Sequence, residues 1–111
     1  MQIVEIQQQA DLDELKQRSF NQSVVIFKHS TRCAISSMVY SRLKRSWDGE
    51  IHEDQELYYL DLIRYRPLSD ALAADYGVTH ESPQVLIIKD GNCIFNASHN
   101  AINVSEIKDF T

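Results

Sequence analysis

The sequence predicts an α/β domain, a three-layer sandwich in which a mixed central sheet carries helices on both faces. Three observations carry this. Apolar runs of strand length alternate with helix-period stretches in the order β-α-β-α-β-α-β-β-α. Between the second and third strands lies a full helical pattern, which implies parallel pairing through a right-handed crossover. Near the C-terminus Asp90-Gly91, set between two β-rich runs, marks a tight hairpin and hence an antiparallel pair.

Ile3, Val4 and Ile6 suggest a short first strand. Asp11 offers an N-cap with Glu14 three residues on, and Leu12, Leu15 and Phe20 supply the apolar stripe of a first helix. Val24-Val25-Ile26-Phe27 is a β-branched run of buried-strand type. A polar loop, Lys28 to Arg32, leads into a second helix with Ile35, Met38, Val39, Leu43 and Trp47 on its apolar stripe, closed by Asp48-Gly49-Glu50. The carboxylates Asp48, Glu50, Glu53, Asp54 and Glu56 mark an exposed loop. Leu57–Leu62 is a third strand. Pro67 opens a third helix through Leu68, Ala71, Leu72 and Tyr76 to a terminal Gly77. Ser82-Pro83 precedes a fourth strand over Gln84–Lys89, and Cys93–Ala97 follows the hairpin as a fifth. The last helix starts near Asn103, has Glu106 three residues later, and buries Val104, Ile107 and Phe110.

With 111 residues the chain reads as a single domain, residues 1–111, able to bury about two-thirds of its extended surface. The formal net charge of −5 argues against nucleic acid as a partner, because phosphate binding needs a basic face. No run approaches the ~18 apolar residues of a membrane span. Met1–Ile6 has no basic start or long apolar core, so a secretory signal is not expected. The 2 cysteines, Cys33 and Cys93, make no disulfide framework and fit a reducing, cytoplasmic setting.

Cys33 stands where loop becomes helix. The first turn of a helix has free N–H groups and the positive end of the macrodipole, so a thiolate is favoured there and becomes a usable nucleophile. The motif reads Cys33-Ala34-Ile35-Ser36: one attacking sulfur with a hydroxyl at the position of a second thiol. No disulfide can form within it. Ser36 either donates to the sulfur or satisfies a backbone N–H. Cys93 is no partner for Cys33, because the fourth strand should run away from Cys33 and reach Asp90-Gly91 about seven residues, or roughly 20 Å, away. It reads as a core cysteine.

The order of elements, with a cysteine opening the second helix and a proline opening the fourth strand, resembles a thioredoxin-like domain. Phe27-Lys28-His29-Ser30-Thr31, Cys33 with Ile35-Ser36, His80-Glu81-Ser82-Pro83-Gln84 and Ala97-Ser98-His99 narrow the resemblance to the YtxJ family. These are small monothiol thioredoxin-like proteins of bacteria that use bacillithiol, also called bacilliredoxins. The family pattern Thr-Cys-Pro-Ile-Ser is here Arg32-Cys33-Ala34-Ile35-Ser36, which adds a cation beside the sulfur and removes a proline. The resemblance implies that Cys33 attacks a protein–bacillithiol mixed disulfide, frees the client thiol, and keeps bacillithiol until another thiol or a reductase removes it. Bacillithiol is then a co-substrate, with no tightly bound cofactor. The resemblance also implies a cis Ser82-Pro83 bond facing Cys33, with Ser82 placed to pair with an extended client segment.

Lys28, His29, Arg32, Arg64 and Arg66 form a second constellation, because parallel second and third strands bring their C-terminal ends together, where open α/β sheets bind ligands. Bacillithiol carries a dicarboxylate malyl group that the guanidinium forks of Arg32 and Arg64 suit; solvated loop arginines are the other reading of Arg64 and Arg66. His29, His52, His80 and His99 lack zinc-ligand spacing, and His29 and His80 are candidates to tune Cys33. Two further functions compete with thiol exchange. One is an iron–sulfur-binding monothiol glutaredoxin-like protein, although Ala34-Ile35 replaces the glycine and aromatic of such relatives. The other is a thioredoxin-fold adaptor without redox turnover.

Overall fold

The computed structural model describes all 111 residues. Its strands are β1 (Gln2–Glu5), β2 (Val24–His29), β3 (Glu56–Asp61), β4 (Gln84–Lys89) and β5 (Asn92–Ser98). The helices are α1 (Gln9–Arg18), α2 (Ala34–Glu50), α3 (Arg66–Tyr76) and α4 (Val104–Lys108). The strands form one sheet in the order β1-β3-β2-β4-β5. β3 pairs in parallel with β1 and β2, whereas β4 is antiparallel to both β2 and β5.

The pleat sorts alternate residues to opposite faces. Val25, Phe27, Leu57, Val85 and Ile87 pack under α2 and α4 with Val39, Leu43, Trp47, Val104 and Ile107. Val24, Ile26, Tyr58, Leu60, Leu86 and Ile88 meet Leu12 and Leu15 of α1 and Leu72 of α3. β2 is buried along its whole length, which is why its apolar run is continuous rather than alternating.

The expected elements form, with shifted ends. Gln8, not Asp11, is the N-cap of α1; Asp11 lies at the third helical position, where its carboxylate accepts from the N–H groups of Gln7 and Gln8. α2 closes within the expected Asp48-Gly49-Glu50, at Glu50, but Gly49 is helical rather than the cap, since an exposed position tolerates a glycine at about 1 kcal/mol. Extended Ile51 caps the helix and turns into the core. Phe20 is 50% exposed rather than part of the stripe. It lies over the hairpin, where a Cβ on Gly91 would come within 3.0 Å of its ring. Asp90 and Gly91 both have positive φ, 53° and 76°, as a tight hairpin with right-twisted strands requires. Ile35 and Met38 are also exposed, at 48% and 54%, so the buried stripe of α2 starts at Ser36 and Val39.

Candidate functional site around Cys33

β2 delivers the chain to the C-terminal edge of the sheet, and Ser30-Thr31-Arg32 turns it into α2. Cys33 is the N-cap of that helix, with extended backbone, φ −108° and ψ 119°. Its N–H donates to Ser30 O at 3.2 Å, closing the turn, and its carbonyl accepts the N–H of Ser37 at 3.0 Å. The thiol is free and partly exposed. It stands beside first-turn N–H groups that have no carbonyl partner within the helix.

Ser36, one turn on, is fully buried. Its hydroxyl accepts the Ser30 N–H at 3.0 Å and shares a 2.7 Å hydrogen bond with His29 Nδ1; neither bond goes to the sulfur. The serine therefore ties the start of α2 to the end of β2. His29 itself is packed among Phe27, Tyr40 and Tyr59, with ring centroids 5.9, 5.1 and 5.7 Å away. Burial pushes its pKa down, with Asp61 opposing and Lys44 adding to the effect, which favours the neutral ring.

β4 starts where β2 ends. Lys28 pairs with Gln84, so Ser82-Pro83 lies at the same end of the sheet as the Ser30–Cys33 turn. The Ser82–Pro83 bond is cis. Pro83 is buried, its carbonyl accepts the His99 N–H at 3.0 Å, and Ser82 Oγ is buried without a hydrogen-bond partner.

The cations share the sheet edge but divide between its faces. Arg32 is exposed in the turn beside Cys33. Arg64 lies over the Tyr65 ring, 5.4 Å from its centroid, and lines a cavity of about 120 Å³ with Glu5, Tyr59 and Asp61 on the β1–β3 side. Arg66 pairs with Asp70 at 3.4 Å. Lys28 points to the face opposite His29, where its Nζ donates to Gln84 Oε1 at 3.1 Å. On that same side His80 Nδ1 lies 3.3 Å from Ser69 Oγ, with the His80 pKa lowered by burial, Lys28 and Arg66.

Cys93 lies away from this site. It pairs with Ile88, which stands opposite Val24 at the far end of β2. Its thiol donates to Phe95 O at 3.2 Å, and burial pushes its pKa up. No helix is long and apolar enough to cross a membrane.

Burial brings the Lys28 pKa down to about 8, helped by Arg66 and opposed by Asp70. A lysine with a lowered folded pKa destabilises the native state while protonated. That cost is present in full below pH 8 and fades as pH rises toward the ordinary 10.5, because only the unfolded chain then still binds the proton. Burial acts oppositely on Tyr59, raising it from 10.0 to about 12, so stability falls again above pH 10 as the unfolded phenol ionises first. Urea denaturation should show stability rising from pH 8 to a crest near 10, and Lys28→Met should flatten the rise.

Lys28 and His29 were expected in the polar loop before Cys33, as part of a cation cluster; instead both belong to β2 and are buried. His29 and Lys28 alternate at the end of an otherwise apolar buried strand, so a strict face-by-face reading would have put one under each layer. Gln84, directly after a proline and at the head of another buried strand, was the matching signal for Lys28.

Comparisons with known proteins agree with this layout. The family profile described as monothiol bacilliredoxin BrxC matches residues 4–107. A solved structure described as an oxidoreductase with a thioredoxin fold is 29% identical, with a TM-score of 0.82 over 96% of this chain and 91% of that one. A thioredoxin from Halobacterium salinarum is 18% identical, with a TM-score of 0.68 over 97% of this chain and 86% of its own. A Fasciola hepatica thioredoxin is 19% identical, with 0.66 over 98% and 94%. At these identities the two thioredoxins speak for the fold alone.

Proposed function

The chain belongs to the monothiol bacilliredoxin BrxC family, and from that premise we propose that it removes bacillithiol from protein mixed disulfides through Cys33. Its fold is thioredoxin-like, and it is a monothiol thiol-redox protein. The observation that carries the finer reading is the pairing of a free, partly exposed thiol at a helix N-cap with a buried, fully bonded hydroxyl at the position where a resolving thiol would stand.

The exchange runs in two balanced steps. Cys33 thiolate attacks the bacillithiol sulfur of the mixed disulfide; the Cys33–bacillithiol bond forms, the client–bacillithiol bond breaks, and the client leaves as a thiolate that water protonates. A second thiol, from bacillithiol or a reductase, then attacks the Cys33 adduct, leaving with bacillithiol and returning Cys33 as thiolate. Position 36 offers no sulfur, so the adduct waits for that outside thiol. Ser82 and Pro83 sit where an extended client segment would lie along the edge of the site, as in strand addition. Arg32 and Arg64 are the cations for the malyl carboxylates, and Arg32→Ala and Arg64→Ala should each slow transfer by about three- to tenfold, as loss of an exposed charge-assisted contact does. Such chemistry suits a reducing cytoplasm.

The test is to incubate reduced protein with a bacillithiolated client and read both by mass spectrometry. The reading requires one bacillithiol on Cys33, none on Cys93, and a freed client thiol. Client release that persists with Cys33→Ala rules it out.

A further inference from the structure

Lys28 is 1% exposed, yet no carboxylate lies within ion-pairing distance of it. Its single hydrogen-bond partner is the neutral amide of Gln84, itself 2% exposed. Gln84 uses its other end at once: Nε2 donates to Thr79 O at 3.0 Å. Lys28, Gln84 and Thr79 thus form a chain that runs from β2, through the first residue of β4, back to the middle of the Gly77–Pro83 connection. That connection is also held at Val78, whose N–H donates to Ala73 O, and at His80, which meets Ser69. It ends at Ser82, whose buried hydroxyl has no partner.

Burying an ammonium against a neutral acceptor is a poor source of stability. What the arrangement supplies is direction, because one side chain fixes the Gln84 carbonyl and so aims its amide at Thr79. We propose that Lys28 is a positioning residue: through Gln84 it sets the loop that ends in Ser82-Pro83, and so governs how a client protein docks rather than how Cys33 reacts. The lowered Lys28 pKa fits a charge kept without a counter-ion. The proposal rests on the exchange reading above, and deepens it by separating the docking of a protein from the chemistry at sulfur.

The test presents one bacillithiol disulfide in two forms, on a protein with a single cysteine and as the free symmetrical disulfide of bacillithiol. Two variants are compared with the parent: Lys28→Met, and Lys28→Met combined with Gln84→Met, which replaces the buried polar pair by apolar groups of similar size and should leave the thermal midpoint unchanged or higher. Both should raise KM for the protein substrate about tenfold with kcat little changed, and slow the free disulfide less than about twofold. Amide hydrogen exchange at Val78–Ser82 should rise about tenfold or more in the double variant. Equal slowing of both substrates overturns the proposal, since Lys28 would then act on the sulfur. So does faster amide exchange with an unchanged KM, or no change in either. A parent protein that reacts with neither disulfide defeats the exchange reading instead, and the amide exchange still decides whether the clamp exists.

Discussion

Replacing Cys33 with serine should abolish bacillithiol transfer, lowering the rate by at least about 10³-fold, the scale on which loss of an enzyme's attacking group acts. The reason is chemical rather than structural. A serine hydroxyl at the N-cap is a favourable helix start, so the variant should fold as well as the parent, but an alcohol does not attack a disulfide at neutral pH. Nothing else in the molecule can substitute. Cys93 stands against Ile88, at the far end of β2 from the Ser30–Cys33 turn, and position 36 holds oxygen. Cys93→Ser should therefore leave transfer intact. The check is the rate of client release for both variants, with far-ultraviolet circular dichroism to show the fold.

Ser36→Ala should be the most destabilising change near the site, by about 2–4 kcal/mol, because it leaves the buried Ser30 N–H and His29 Nδ1 without partners. For a domain of this size that lowers the thermal midpoint by roughly 10–20 °C. The sequence left two roles for this serine, and the measurement separates them. A hydroxyl that serves the sulfur would cost reactivity toward small disulfides and little stability. One that ties the Ser30 turn to α2 costs stability, and should leave the folded protein's reactivity with small disulfides within about threefold. The hydrogen bonds support the second result.

The elements were legible where one physical signal ruled. β4 is read to the residue, because a proline and an Asp90-Gly91 turn bracket an unbroken apolar run. Asn103 was readable as a cap, and its side chain does accept from Glu106 N. Reading failed where an apolar residue served the surface. Ile35 and Met38 fit the helical period of α2, yet they are exposed, and periodicity alone cannot tell a buried stripe from its exposed margin. It failed again where polar residues were buried in company. Lys28 and Gln84 lie 56 residues apart in the chain, and only the β2–β4 register brings them together. That Cys33 stands at the start of α2 was legible because a polar loop running into a helical period is a local pattern; the Lys28–Gln84 bond is not local.

The single tryptophan, Trp47, is 1% exposed on the buried face of α2. It belongs to the helix that Cys33 caps, but lies 14 residues further along, about 21 Å at the rise of an α-helix. Its emission should report the integrity of the hydrophobic interior and stay blind to what is attached at the sulfur. One fluorescence trace can therefore follow unfolding in a sample whose thiol is being modified, with no correction for the modification.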